Sequence, residues 1–216
     1  MKHMYKNSKE YMPTYFLVTA NVVAYIFTSY FGGSAVETGD TMIATYGLYT
    51  PAVLNGEVWR IFTSLFVHAN IAHIAGNMLF LIIYGLRAED MFDIKEYLAV
   101  YFLSGLAGNF LTILTDLLIA GSSGYFAFSV GASGAIFGML AAVMVYMRRS
   151  IGQSIFGALV FVFFLFAINI SPGVNIFAHL GGLAAGLALG YILAVAHRKR
   201  RRPISYQFNY PTSYGP

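Results

Sequence analysis

The sequence predicts an all-α membrane protein with six transmembrane helices and a partly inserted loop after the first of them. Of its 216 residues, 58% are hydrophobic and 10% are charged, whereas a soluble domain carries roughly 25% charged residues. The apolar residues fall into six runs of roughly the 20 residues that a helix needs to cross a bilayer. A chain of this length suits one compact bundle rather than several domains.

The predicted spans follow one another closely along the chain. Their approximate limits are 13–31, 65–86, 97–119, 129–147, 154–170 and 174–196. Residues 34–63 contain acidic side chains, a proline and an arginine among apolar residues, so they predict an interfacial or partly inserted loop. The organisation is therefore predicted as a tail at 1–12, a six-helix domain at 13–197, and a basic, then disordered tail at 198–216.

The basic residues predict the orientation of the bundle. Of the 13 Lys and Arg, all except Arg60 lie in the two tails or in the turns after the second and fourth spans. The positive-inside rule then places both termini in the cytoplasm and the loops at 34–63, 121–128 and 171–173 outside. We expect an integral protein of a prokaryotic plasma membrane, with the lipid bilayer as its partner. Because the positive charge lies in tails and short loops, it does not indicate nucleic-acid binding.

Several polar residues lie within the predicted spans, where polar groups are costly and usually have a function. His73 and Asn77 are four residues apart and therefore share one face of the second helix. Ser133 begins the fourth helix and His179 lies near the start of the sixth, at a similar depth below the outer surface. Three of these residues have a structural alternative: Ser133 as a helix N-cap, and His179 and Asn77 as hydrogen-bonding groups between helices.

Small residues predict which helices meet. His179, Gly182 and Gly186 fall on one face of the sixth span, and Gly134 offers a matching smooth face on the fourth. Such faces let two helices approach closely. We therefore expect the fourth and sixth helices to pack backbone to backbone, which would bring His179 beside Ser133.

A serine beside a histidine favours nucleophilic catalysis. His179 would take the proton of Ser133, which attacks a peptide carbonyl and forms an acyl-enzyme. His73, Asn77 and the backbone N–H of Ser133 are candidate donors to the oxyanion. No carboxylate is evidently placed to orient His179, so the sequence predicts a dyad rather than a triad.

A metal site competes for the histidines of the second span, but the pattern disfavours it. His68 and His73 are five residues apart rather than four, and the Glu of an HExxH motif is absent. The chain has no cysteine, which excludes disulfides and thiol catalysis. No metal or organic cofactor is predicted, and His68 is interpreted as structural.

Four short motifs occur in order along the chain. They are Trp59-Arg60 in the first outer loop, His73-x-x-x-Asn77 in the second span, Gly131-x-Ser133-Gly134 in the fourth and His179-x-x-Gly182-x-x-x-Gly186 in the sixth. Together they resemble the motifs of the rhomboid family of intramembrane serine proteases, and the resemblance covers nearly all of residues 10–197. Glu89 resembles the acidic residue at the cytoplasmic end of the second helix in that family.

The resemblance implies a rhomboid-like six-helix protease domain with a water-filled cavity that opens outward. It implies a Ser133 nucleophile, a His179 base and an oxyanion hole near His73 and Asn77. Transmembrane proteins would be cleaved near the outer membrane boundary, with the fifth helix and loop 171–173 as the gate for their entry. Many members carry a tyrosine where this chain has Phe137, so ring stacking under His179 is retained and a hydroxyl contact is lost.

Two other functions remain to be compared with proteolysis. A catalytically silent rhomboid-like binding or quality-control factor typically lacks the serine or the histidine, and this chain has both. A small transporter or channel would use His73 and His179 as a proton path. The lack of an intramembrane acidic residue near them, and of an internal repeat, disfavours that function.

Overall fold

The structure is a computed structural model that describes residues 12–119, 126–168 and 173–200 as a bundle of helices. Their bounds are α1 Met12–Phe31, α2 Asp40–Tyr46, α3 Thr50–Leu54, α4 Arg60–Thr63, α5 Ile71–Glu89, α6 Ile94–Ile119, α7 Ser133–Ser150, α8 Phe156–Ile168 and α9 Ile176–Arg200. The all-α class is confirmed for these residues, which contain two isolated β-bridges and no longer strand. Most of both predicted tails, residues 121–125 of one loop and 171–172 of another lie outside the described residues.

Four of the described helices are long and apolar enough to cross a membrane. They are α1, α5, α6 and α9, and α8 is a shorter apolar helix. The protein is thus an integral membrane protein by its helix lengths and composition. Since α7 and α8 are not among the four, the count of six spans stays a prediction.

The predicted start of the second span is wrong. Helix α5 begins at Ile71 rather than Leu65, and it continues to Glu89. Asn70 caps it, because its side-chain oxygen accepts a hydrogen bond from the backbone N–H of His73 at 2.9 Å, and asparagine is among the best residues at this position. His68 therefore lies in the turn before the helix rather than on a helical face.

Helix α7 lies at the centre of the bundle and packs most extensively against α9 and α6. The predicted close approach of α7 and α9 is confirmed. A Cβ atom built on Gly182 would overlap the carbonyl of Gly134, and one built on Gly186 would overlap the carbonyl of Gly138. The two backbones are in direct contact, and this contact fixes how Ser133 and His179 can face each other.

The loop between α1 and α5 folds around Arg60. The guanidinium is buried, and Nη1 donates to the carbonyls of Ala44 at 2.7 Å and Gly47 at 2.9 Å. It also pairs with the carboxylate of Glu57. Trp59, by contrast, is half exposed. Arg60 therefore holds the short helices α2 and α4 together, whereas Trp59 lies on the surface of the loop.

Glu89 joins the end of α5 to the start of α1. Its carboxylate is buried and accepts a hydrogen bond from the backbone N–H of Thr14 at 2.7 Å. The hydroxyl of Thr14 is 3.0 Å from that of Tyr97, on α6. A carboxylate at a helix N-terminus is favourable because the first N–H groups have no partner within the helix. Glu89 thus links α5 to α1, and Thr14 links α1 to α6, at the end of the bundle remote from Ser133.

Candidate active site

Ser133 is the first residue of α7 and does not cap it. Ala132 occupies the N-cap position, and no side chain accepts a capping hydrogen bond there. Before it, Gly131 has a φ of +120°, which favours glycine. A Cβ on Gly131 would also lie 2.8 Å from Nε2 of His73. The tight, glycine-dependent turn leaves the Ser133 hydroxyl free to point into the bundle.

His179 meets Ser133 across the contact of α7 and α9. The distance from Nε2 of His179 to Oγ of Ser133 is 2.8 Å, within the range that a general base requires. The histidine is 7% exposed, and the described residues include no carboxylate hydrogen-bonded to its ring. The structure therefore brings together the two residues that the sequence predicted to meet.

Phe137 packs against the imidazole of His179. The ring centroids are 4.5 Å apart and the planes are inclined by 33°. Phe137 lies four residues after Ser133, so both side chains project from one face of α7. The phenyl ring restricts the orientations that the imidazole can adopt.

His73 and Asn77 face the same space from α5. With Ser133 and His179 they line a cavity of about 530 Å³. The side-chain nitrogen of Asn77 is buried and has no hydrogen-bond partner among the described residues. A buried donor without an acceptor is costly, so its position in the wall of the cavity that Ser133 also lines fits a group that binds an acceptor supplied by a ligand.

His68 packs against the ring of His73. It is fully buried, its Nδ1 is 3.2 Å from the carbonyl of Phe66, and its ring centroid is 5.1 Å from that of His73, edge to face. In this turn, outside the membrane-spanning helices, burial and then the nearby His73 lower the pKa of His68 to about 3. His68 is therefore uncharged near neutral pH. Among the described residues, no group of three or more His, Asp or Glu side chains is arranged to hold a metal ion.

Sequence reasoning missed two asparagines in the cavity wall. The side-chain nitrogen of Asn109 donates to the carbonyl of Ile61 at 2.7 Å and to the hydroxyl of Ser64 at 2.9 Å. Asn175 precedes α9 and bonds to Thr112 and Ser129. A search for helix caps would have found Asn175 but not its contacts with α6 and with the segment before α7.

The fold and the site define a helical membrane protein with a serine–histidine pair inside a partly polar cavity. The Rhomboid domain family model matches residues 55–196. This chain therefore belongs to the rhomboid family.

Three relatives show how far the similarity extends. The chain is 33% identical over 184 residues to Rhomboid-like protease 3 of Toxoplasma gondii, which covers 80% of this chain and 66% of that protein. It is 39% identical over 145 residues to RHOMBOID-like protein 1 of Arabidopsis thaliana, covering 64% and 35%. It is 31% identical over 192 residues to a Bacillus subtilis (strain 168) protein named "Putative rhomboid protease YdcA", covering 86% and 90%. The chain thus spans about one to two thirds of the first two relatives and nearly all of the third, and two of the three are named proteases.

Proposed function

We propose that this protein is an intramembrane serine endopeptidase that cleaves transmembrane proteins with Ser133 and His179. The observation that carries the proposal is the 2.8 Å contact between Oγ of Ser133 and Nε2 of His179. Family membership supports hydrolysis of peptide bonds, because relatives with protease names align with most of this chain. The contact supplies the nucleophile and base that such a reaction needs.

In the acylation step, Nε2 of His179 accepts the hydroxyl proton as Oγ of Ser133 bonds to the carbonyl carbon of the substrate. The carbonyl oxygen becomes an oxyanion, which the side chains of Asn77 and His73 and the backbone N–H of Ser133 stabilise. The imidazolium then gives its proton to the amide nitrogen, the C–N bond breaks and the new amine leaves. The remaining product is an ester on Ser133.

In the deacylation step, water takes the place of the amine. His179 accepts a proton from the water, whose oxygen attacks the ester carbonyl, and the same donors stabilise the second oxyanion. The proton returns to Oγ as the ester bond breaks, so the serine is regenerated and a new carboxyl end is released. The cavity of about 530 Å³ has room for this water beside Ser133 and His179.

The substrate would approach Ser133 from the bilayer near its outer boundary. The charge distribution supports a cavity that opens outward with both termini in the cytoplasm. Among the described residues, helix α8 packs principally on α7, so its movement would separate mainly this one pair of helices if a substrate helix is to enter. We propose α8 as the movable side of the entrance.

A fluorophosphonate probe, which bonds covalently to activated serines, tests the proposal on purified protein in detergent. The variants are Ser133→Ala and His179→Ala, with mass spectrometry to locate the labelled residue. Ser104→Ala is the matched control, because Ser104 is a buried serine of α6 whose hydroxyl has no partner among the described residues. We expect labelling at Ser133 in the unmutated protein and in the control, and none in the two dyad variants.

The same panel is then reconstituted in liposomes with a single-span transmembrane substrate. Cleavage that requires both Ser133 and His179 is expected. A folded, unmutated protein that captures the substrate without labelling or cleavage would instead favour the catalytically silent binding factor.

A further inference from the structure

Asn175 makes three side-chain hydrogen bonds just before α9. Its Nδ2 donates to Oγ1 of Thr112 at 3.0 Å and to Oγ of Ser129 at 2.9 Å. Its Oδ1 accepts from the backbone N–H of Ala178 at 3.0 Å, as in a helix N-cap. Both amide hydrogens and the oxygen are thus engaged, and rotating the amide by 180° would set Nδ2 against the N–H donor of Ala178. The orientation of the amide is therefore determined by its partners.

The partners of Asn175 are themselves held in place. The hydroxyl of Thr112 donates to the carbonyl of Gly108 within α6 at 3.0 Å, so it is free to accept from Asn175. The backbone of Ser129 pairs with that of Leu48 through two hydrogen bonds of 2.9 Å. Asn175 thus connects α9 to a helix and to a segment that the first loop already fixes.

The contact between Asn175 and Ser129 joins the same two chain segments as the contact between His179 and Ser133. Asn175 is four residues before His179, and Ser129 is four residues before Ser133. The backbone carbonyl of Asn175 accepts from the N–H of His179 at 3.3 Å, so one helical turn joins them. The same two chain segments are therefore joined twice, once at the dyad and once four residues before it.

We propose that Asn175 is a positioning residue for the dyad. It holds the segment before α7 against the start of α9 and so sets the distance between Oγ of Ser133 and Nε2 of His179. Asn175 acts through Ser129 and the backbone and does not itself exchange a proton with the serine. This inference rests on the proposed function, because it assigns the residue a part in the same reaction.

Two variants separate this role from that of a simple helix cap. Asn175→Ser keeps an oxygen that can cap α9 but is too short to reach Thr112 and Ser129 together. Asn175→Ala removes both the cap and the bridge. Asn21→Ser is the matched control, because Asn21 is a buried asparagine of α1 that bonds to the carbonyl of Leu17 at 2.7 Å, far from the cavity.

Kinetics and thermal unfolding are measured on all variants in detergent with a cleavable transmembrane substrate. We expect Asn175→Ser to lower kcat by roughly tenfold to a hundredfold, since a displacement of about 1 Å can cost that much, with KM and Tm nearly unchanged. Asn175→Ala should lower kcat by the same factor as Asn175→Ser and should also lower Tm. Asn21→Ser should keep the unmutated kcat. Ser129→Ala should lose part of kcat, and combining it with Asn175→Ser should add little, because both remove one interaction.

A second readout does not depend on turnover. In protein labelled with ¹⁵N-histidine, the Nε2 signal of His179 is assigned with His179→Ala, and Ser133→Ala gives its position without the serine contact. We expect Asn175→Ser to move the signal toward that of Ser133→Ala. If the unmutated protein does not cleave but the signal moves, the proposed function fails and the positioning role stands. If Asn175→Ser keeps the unmutated kcat or the unmutated His179 signal, Asn175 is only a cap and the inference is overturned.

Discussion

The α-carbon of Gly182 lies directly against the carbonyl of Gly134, so that a Cβ on Gly182 would overlap that carbonyl. Gly134 follows Ser133 by one residue, and Gly182 follows His179 by three. A direct backbone contact of α7 and α9 therefore occurs within one turn of the proposed dyad. Any change that separates the two backbones at this point also separates the serine from the histidine.

Replacing Gly182 with alanine should damage both stability and activity. The added methyl group meets a backbone carbonyl, which cannot rotate away, and overpacking of this kind costs about 1–3 kcal/mol. We expect a lower Tm and a loss of serine labelling even in the fraction that remains folded. Thermal unfolding in detergent and the fluorophosphonate probe measure the two effects.

Gly76→Ala is the control for the effect on Tm. Gly76 lies within α5, and a Cβ built on it has no neighbouring atom within 4 Å. Alanine is better than glycine in a helix interior by up to about 1 kcal/mol, so Tm should stay the same or rise. An unchanged Tm and labelling rate in Gly182→Ala would show that the helices can separate without moving the dyad.

Phe137→Ala should lower catalysis more than stability. The phenyl ring packs 4.5 Å from the imidazole of His179 and is only partly buried. Removing it frees the imidazole to rotate away from Ser133. We expect kcat to fall about tenfold or more, as positional errors in catalytic groups do, while Phe137→Tyr retains the ring and most of kcat. Phe16→Ala on α1, where the side chain is 68% exposed, should leave kcat unchanged, and an equal loss of kcat there would contradict a specific role of the contact between Phe137 and His179.

The approach of α7 and α9 could be predicted from the sequence because it depends on a local pattern. Glycines at helical spacing give a smooth face, and two such faces in a membrane protein tend to meet. The positions of Ser133 and His179 relative to those glycines then fix which polar groups come together. For the candidate site, the sequence was therefore sufficient to predict the contact between Ser133 and His179, whereas their catalytic roles stay a proposal.

The start of α5 and the bonds of Asn175 could not be predicted in this way. Residues 65–67 are apolar and extend the hydrophobic pattern of the span, yet they form a turn in which Leu65 is buried against Gly105 of α6. Asn175 bonds to side chains 46 and 63 residues away in sequence. Tertiary contacts decide both features, and hydrophobic periodicity contains no information about them.

Arg60→Lys should destabilise the loop between α1 and α5. The guanidinium bonds to two backbone carbonyls and to Glu57 at once, and an ammonium group cannot reproduce that planar fork. Each buried carbonyl left unpaired costs about 1–3 kcal/mol. We expect a lower Tm and faster proteolytic cleavage within residues 40–60. Arg87→Lys is the control, because Arg87 is 65% exposed and pairs with Asp90 at 3.7 Å; equal effects of the two substitutions would contradict the structural role of Arg60.

The rate of serine labelling should fall as the solution is acidified. Only the neutral imidazole of His179 can accept the proton of Ser133, and protonation removes that acceptor. Below the pKa of His179 the rate should therefore drop by about tenfold per pH unit, and above it the rate should be constant. Labelling rates between pH 3 and 9, with the folded fraction checked at each pH, measure the profile. A rate that stays constant down to pH 3 in folded protein would contradict the assignment of His179 as the base.

Substitutions of two further histidines test whether the profile belongs to His179. His197 lies at the other end of the bundle, 2.8 Å from the hydroxyl of Tyr146 and 2.9 Å from the carboxylate of Glu96, so His197→Gln should leave the profile unchanged. His73 lines the cavity and is proposed to donate to the oxyanion, so His73→Ala should lower the rate at every pH and keep the acid limb. If the acid limb disappears in His73→Ala, the titrating group is His73, and proton transfer from Ser133 to His179 does not limit the rate.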